Sequence, residues 1–509
     1  MGEQASTVEA GEEKEKLVKI GKYPIRVVKE VPPIVPFLAA AGPAIIEVGL
    51  ALGSGETIIW PTLAAKYGLI LVWGTLVGLF IQTVWTQEMG RWTIVSGEHH
   101  IQGAGRVIGM QVATWLFLFL GYIAFIWPGW ITGGSAAFLK LVHNWPAPGY
   151  RGILFWSYFW SAIIFAAVLL SPVARRAVEL LELGTLILAW IIIITVAVTA
   201  THGSDWVKML NYMFLHMGAR PKGLDWWTFA ASIAFVGAGG LANIWYTFWL
   251  RDAKFGMGKY IGTIPGITGK PTALDPIGAI PEGGPENAER IRKWKSHHLK
   301  MMWYVFFLGN FLTVLIFIMI SYSLLYSKGI TPGMGVGYIK GHILQLTADA
   351  ISKYTILGKF GGAAYLLSVW LILFNTQVAL MEGLVRQAAD TLYVTYESVR
   401  RFVKQDIRKW YAYWWIGIII VEFGLVGAAT LKHVSYGSLV VFGAVMALLS
   451  MIISPAITIY INTKLLKKLP EDIYEAIKPH PVNIFILAVA VVFYAFFFSI
   501  AVAARLHII

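Results

Sequence analysis

Two clusters in this 509-residue chain set polar chemistry inside apolar sequence. The first is Gly53-Ser54-Gly55-Glu56-Thr57, in an apolar run from about 34 to 66. The second is Gly237-Ala238-Gly239-Gly240-Leu241-Ala242-Asn243, in a run from about 226 to 250. Glycine clusters weaken a helix, and every peptide group they free in an apolar medium needs another partner. Glu56 offers a carboxylate, Asn243 an amide oxygen, Ser54 and Thr57 hydroxyls, and the backbone at Gly53, Gly55, Gly237 and Gly240 carbonyl and amide groups. Oxygen donors of this kind suit a hard divalent ion such as Mg2+ or Mn2+. The chain has no cysteine and neither cluster holds a methionine, so no thiolate or thioether ligand is expected there.

A carboxylate at membrane depth carries a penalty of about 2.5–3.5 kcal/mol on insertion scales. The first turn of a second half-helix returns about 0.3–1 kcal/mol of it through the helix dipole. The penalty exceeds the return, so Glu56 is expected to hold a cation or a proton; the blander alternative is a protonated Glu56 that only caps backbone amides. The expected metal set is Glu56, Asn243 and the carbonyls of Gly53 and Gly237. Glu47 and Glu382 are further intramembrane carboxylates, candidates for coupling or for support of the site. Glu382 and Arg386 stand four apart and are expected to pair on one helix face. Glu422 stands alone. The adjacent pairs His99-His100 and His297-His298 point apart on a helix and are not expected to share a metal.

These residues need elements to position them, and composition says what kind. The chain is 57% hydrophobic and 14% charged, with a mean hydropathy of +0.66. That polar fraction is far below the roughly 25% charged residues of soluble domains, so the chain is expected to be an all-α integral membrane protein. Zero cysteines exclude a disulfide scaffold, and 22 Trp, 22 Tyr and 28 Phe exclude a disordered chain. The net charge of +13 is spread between apolar runs, which argues for membrane topology rather than nucleic-acid binding.

Eleven apolar runs are long enough to span a bilayer, the second at 68–89 and the last at 484–505. They group into a first five-helix set (34–200), a second (226–462) with a loop at 251–299, and an eleventh helix at 484–505. Residues 1–33 read as a mobile tail, charged at its start and closed by Pro32-Pro33. Most of the 41 Lys and Arg fall near 14–29, 91–106, 175–176, 251–300, 400–409 and 464–478. That bias expects a cytoplasmic amino terminus and an outward carboxyl terminus.

The two glycine breaks then occupy the first helix of each set. Paired interruptions at corresponding positions point to a secondary transporter with its site at the midplane. The order of motifs resembles the Nramp family of divalent-metal transporters, and more closely a divergent branch of it. Gly42-Pro43 leads to Gly53-Ser54-Gly55-Glu56 and Lys66-Tyr67-Gly68. Then follow Glu88-Met89-Gly90-Arg91-Trp92-Thr93, Gly237-Ala238-Gly239 to Trp245-Tyr246 and Trp249, Arg292 to Trp294, and Ser454-Pro455 to Asn462. The resemblance implies a LeuT-like fold of two inverted five-helix repeats with discontinuous helices 1 and 6, working by alternating access. Carried onto this sequence, the family's metal-binding Asp position falls on Gly53, its Asn on Glu56, its Met on Gly240, its His on Ala242 and its ligating carbonyl on about Gly237. Loss of the thioether removes a preference for softer metals. Glycines at these positions are expected to enlarge the site enough for a partly hydrated ion such as Mg2+.

The expected partners are a divalent metal ion as substrate and the lipid bilayer, with no nucleic acid and no cofactor. No enzyme motif occurs on a span. The alternative is a small organic solute, its carboxylate on the half-helix amides at Gly55 and Gly240, with Trp60, Trp245 or Tyr246 lining the pocket.

Overall fold

The computed structural model describes residues 16–170 and 174–508, and the side chains of these except 169–170 and 174–182. Residues 1–15 of the expected tail and the Arg175-Arg176 side chains lie outside the described set. The structure is almost entirely helical, as the apolar runs require. Its main helices are α1 (Gly42–Ala51), α2 (Trp60–Tyr67), α3 (Trp73–Ser96), α4 (His100–Ile108), α5 (Met110–Phe125), α6 (Gly129–Leu141), α7 (Tyr150–Leu170) and α8 (Ala174–Ala200). After these come α9 (Trp226–Ala234), α10 (Leu241–Asp252), α11 (Pro285–Lys300), α12 (Leu308–Ser321), α13 (Val336–Tyr354), α14 (Gly358–Thr395), α15 (Ile407–Leu431), α16 (Tyr436–Tyr460) and α17 (Pro481–Arg505).

Among the described residues, nine helical stretches are long and apolar enough to cross a membrane. The expected second and sixth runs are not among them, for different reasons. Helix α3 has 24 residues, but its face carries Gln82, Thr86, Gln87, Glu88 and Arg91, all buried against protein. The sixth run is two helices of 9 and 12 residues, about 14 and 18 Å at 1.5 Å per residue, neither able to span alone. Helix α14 is the spine. Its 38 residues pack against α1, α5, α6, α8, α13 and α15 and are buried over most of their length. At the periphery most of α17 is left unburied by the rest of the protein.

One part of the fold differs from the sequence expectation. Within the supposedly mobile tail, Leu17–Ile20 (β1) and Tyr23–Val28 (β2) form an antiparallel hairpin, and Ala279–Pro281 (β3) adds a parallel third strand from the 251–299 loop. Ile20, Ile25 and Val31 are fully enclosed. The hairpin is pinned by the Arg106 guanidinium, which donates to the carbonyls of Ile20 (2.9 Å), Tyr23 (2.8 Å) and Pro24 (3.0 Å) while paired with Glu98. The period-2 alternation of Leu17 to Val28 carries this signal. The run of charge that precedes it hides it.

The same face collects the other basic segments. Arg91 donates to Ile477 O (2.7 Å), Ile407 N to Thr272 O (3.1 Å), Lys22 N to Arg106 O (3.1 Å), and Trp294 Nε1 to Pro32 O (3.1 Å). Segments near 16–33, 91–106, 251–300, 400–409 and 464–478 therefore share one end of the molecule.

Candidate functional site

The first break is short. Leu52 leaves the helix at φ −70°, ψ 75°, and the chain re-enters at Ser54 through a wide π-type turn, Gly55–Ile59, before α2. Pro61 follows directly on that turn, at the second residue of α2. Three of the freed groups are matched by side chains. Thr376 on α14 sets its hydroxyl 3.1 Å from Leu52 O, Thr57 Oγ1 donates to Gly53 O (2.7 Å), and Gly53 N–H donates to Glu56 Oε2 (3.0 Å). Glu56 thus folds back as a cap on its own break. Its Oε1, and the hydroxyl of Ser54, are buried with no hydrogen-bond partner in the protein.

The second break runs over Phe235 to Gly240, a little earlier than the sequence places it, so Asn243 already lies in the first turn of α10. Gly239 and Gly240 take φ of +77° and +56°, a conformation that L side chains resist. One residue spans this break. Gln82 on α3 donates Nε2 to Ala234 O (3.0 Å) and Ile233 O (3.3 Å), and its Oε1 accepts from Gly239 N (3.0 Å) and Asn243 Nδ2 (3.2 Å). Gln82 and Thr376 do much of the positioning, and neither was singled out in the sequence. The signal for Gln82 is its i, i+4 spacing to Thr86, a polar pair on one face of an apolar run.

The two breaks touch. A Cβ at Gly55 would stand 1.5 Å from the carbonyl oxygen of Phe235, so only glycine allows this contact. Between them lies a cavity of about 10 Å3 with Ser54, Gly55, Gly237, Ala238 and Thr376 on its walls, closed by Leu50, Phe125, Trp130, Phe235 and Leu380. That is about the least space that admits one water.

Two expectations are corrected here. The glycines do not enlarge the site, because neighbouring atoms occupy the space their side chains would take. Gly53 abuts Thr376, Gly237 abuts Gln82 and Leu79, and Gly240 abuts Ser450 and Ala447. Nor does Asn243 join Glu56 in one ligand set. Its Oδ1 accepts from Thr86 (3.2 Å) and its Nδ2 serves Gln82, so it braces the second break. Among the described residues no cluster of three or more His, Asp or Glu is placed to hold a metal. The aromatics proposed for an organic solute also stand elsewhere. Trp60 donates to Ser232 O (3.1 Å), Trp245 to Gln387 (2.7 Å), and the Tyr246 hydroxyl meets His298 Nδ1 (2.9 Å).

The remaining carboxylates divide. Glu47 on α1 is wholly buried and both its oxygens lack a hydrogen-bond partner. Glu382 pairs with Arg386 as expected, and is also bonded by Trp249 Nε1 (2.9 Å) and Tyr411 (3.3 Å). Arg386 continues to Asp252, Asp252 to Arg251, and Arg251 to Asp390. His99 Nε2 lies 3.2 Å from Asp390 Oδ1, too bent for a good hydrogen bond. His99 Nδ1 accepts the Gln102 N–H (3.3 Å), which assigns its proton to Nε2 and leaves the ring neutral. The cluster therefore joins α10 and α14 through three carboxylates and two guanidinium groups. His100 turns away to Ser454 (2.8 Å), and Glu422 accepts from Gln377 (3.0 Å).

No protein-family model and no curated protein matches the chain. Solved structures do. The manganese transporter of Eremococcus coleocola, in complex with an aromatic bis-isothiourea substituted compound, is similar with a TM-score of 0.64 and 11% identity, over 96% of this chain and 91% of that one. Two mutants of that transporter, with alanine for a histidine or a glutamate, each give 0.61 and 12% identity over 94% of this chain and 90% of theirs. The protein is an integral membrane protein with a LeuT-like fold whose first and sixth helices are broken where the glycine clusters predict.

Proposed function

We propose that this chain is a secondary transporter that moves a hard divalent cation, of the Mg2+ or Mn2+ class, by alternating access of two five-helix repeats (34–200 and 226–462). The observation that carries the reading is Glu56: a carboxylate on a broken helix with one oxygen fixed by Gly53 N–H and the other buried and free. The Ser54 hydroxyl, two residues before it, is likewise buried and free; Ser54 lines the small cavity between the breaks, and Glu56 stands beside that cavity rather than on its wall. Carboxylate, hydroxyl and break carbonyls are hard donors, and the absence of sulfur disfavours softer metals. The similar structure from Eremococcus coleocola is that of a manganese transporter, which points the same way. Glu47 is the coupling candidate, since Glu382 is committed to the ion cluster. The amino terminus is assigned to the cytoplasm from the basic segments that share one end.

Uptake of Mg2+, Mn2+ and Ca2+ into proteoliposomes, with Glu56→Gln alongside, tests this. Saturable uptake of Mg2+ or Mn2+ that is lost in the variant is the expected result. No uptake of any ion above empty liposomes overturns it.

A second reading, a small organic solute, draws on the ring of Phe125, Trp130 and Phe235 around the cavity, with centroids 5.7–6.1 Å apart. Under it, Glu56→Gln leaves or improves the flux of an anionic solute, because a carboxylate at that end repels one.

A further inference from the structure

At the end of the molecule opposite the β-sheet, four cations converge on one cavity. Arg220 and Lys222 come from the loop before α9, Lys340 from α13 and Arg505 from the end of α17, around a space of about 770 Å3. Arg220, Lys222 and Arg505 are exposed at its mouth and Lys340 is half-buried. Among the described residues these four have no ion pair and no hydrogen-bond acceptor. The one acidic side chain on the wall, Asp225, is already engaged as the N-cap of α9, accepting from Thr228 N (3.1 Å) and Thr228 Oγ1 (2.8 Å). Two of the cations lie over indole rings, Arg220 over Trp226 (5.4 Å) and Arg505 over Trp227 (6.0 Å). Burial depresses the Lys340 ammonium, Asp225 opposes that and Arg505 adds to it, so the three are electrostatic neighbours. An anion in the cavity would relieve the repulsion among them.

The cavity is not isolated. Trp226 meets Phe496 edge to face at 6.5 Å, and from Phe496 an apolar groove of about 700 Å3 runs down the lipid side of α17 past Phe493, Val492 and Val489. Val492 and Phe496 are 70% and 52% exposed outside a membrane. From Arg505 to Val489 the helix rises roughly 24 Å, enough to cover the ~15 Å depth of one hydrocarbon leaflet. Trp226 and Trp227 stand at the junction, where amphipathic rings favour the headgroup level.

We propose that this pocket and groove bind one anionic phospholipid, with its headgroup phosphate among Arg220, Lys222, Lys340 and Arg505 and an acyl chain along α17. A soluble anion would use the cations but has no need of the groove, and a zwitterionic lipid would use the groove but not the excess positive charge.

The test is native mass spectrometry of the full chain, delipidated in detergent and titrated with phosphatidylglycerol, phosphatidylcholine or inorganic phosphate. The expected result is one phosphatidylglycerol retained per chain, with phosphatidylcholine at least tenfold weaker and phosphate unable to compete. The double variant Arg220→Glu/Arg505→Glu and the groove variant Val492→Glu should each weaken retention at least tenfold. The conservative Arg220→Lys/Arg505→Lys should keep it, which separates charge from misfolding. Competition by phosphate alone, equal retention of phosphatidylcholine, or full retention by the charge-reversed variant overturns the proposal.

Discussion

The helix breaks and the ion cluster around Arg386 are both buried and polar, but they are built from opposite materials. The breaks are held by neutral amides and hydroxyls, chiefly Gln82 and Thr376, with Glu56 turned back on its own backbone. The cluster is held by charge, with Asp252, Glu382 and Asp390 strung between Arg251 and Arg386. Neutral hydrogen bonds contribute about 1 kcal/mol each and exchange readily for others. A buried charge stripped of its partner costs several times more. The contrast assigns the rearranging part of a transport cycle to the breaks, and a fixed fastening of α10 to α14 to the cluster.

The contrast breaks most sharply at Arg386. Arg386→Leu leaves Asp252 and Glu382 each short of a buried cation, and should lower stability by about 3–5 kcal/mol. Thermal unfolding in detergent reads this; an unchanged midpoint would sink the idea of a fastening. Gln82→Leu removes four hydrogen bonds at the second break and should lower stability by about 2–3 kcal/mol, less than Arg386→Leu in the same assay. Gly55→Ala drives a methyl into Phe235 O. Its expected cost is about 1–3 kcal/mol, with uptake abolished in whatever protein remains folded. Normal uptake by that variant would mean that the contact between the breaks is incidental.

Smaller effects sharpen the picture. Asp406 caps α15 and pairs with Arg408 near the surface, so Asp406→Ala should cost only about 1 kcal/mol. The bond to Arg408 holds the Asp406 carboxyl below its ordinary range. A depressed acid stabilises above its unfolded value and loses that contribution as pH falls through the folded one. The gap between Asp406→Ala and the parent should therefore be full at neutral pH and close in acid, as unfolding curves at a series of pH values would show. Glu56→Gln is the smallest change in stability, about 0.5 kcal/mol, since its amide oxygen still accepts from Gly53 N–H. Under the metal reading it is the one in this series that silences transport without unfolding anything.

How far the sequence reaches follows the same division. Glycine clusters in apolar runs announce the breaks because no other residue tolerates Gly239 and Gly240, or the approach of Phe235 O to Gly55. The i, i+4 rule announces Glu382 with Arg386, and adjacency keeps the His pairs apart. What lies beyond it is long-range partnership. Asn243 and Glu56 look like a ligand pair only until Gln82, 161 residues from Asn243 in the chain, claims the amide. Space at the glycines is likewise set by side chains such as Thr376 and Ser450 from distant helices. The hairpin at 17–28 is a different case, a strand alternation preceded by a charged run that reads as a tail.

That hairpin also has a schedule. Strand β2 is made together with its hairpin partner β1, yet the strand that covers its other edge, Ala279–Pro281, is made roughly 250 residues later. At about 5–20 residues per second, that is an interval on the order of 10–50 s. Through that time the outer edge of β2 has no strand to pair with, so the sheet is completed only after both helix breaks have been made.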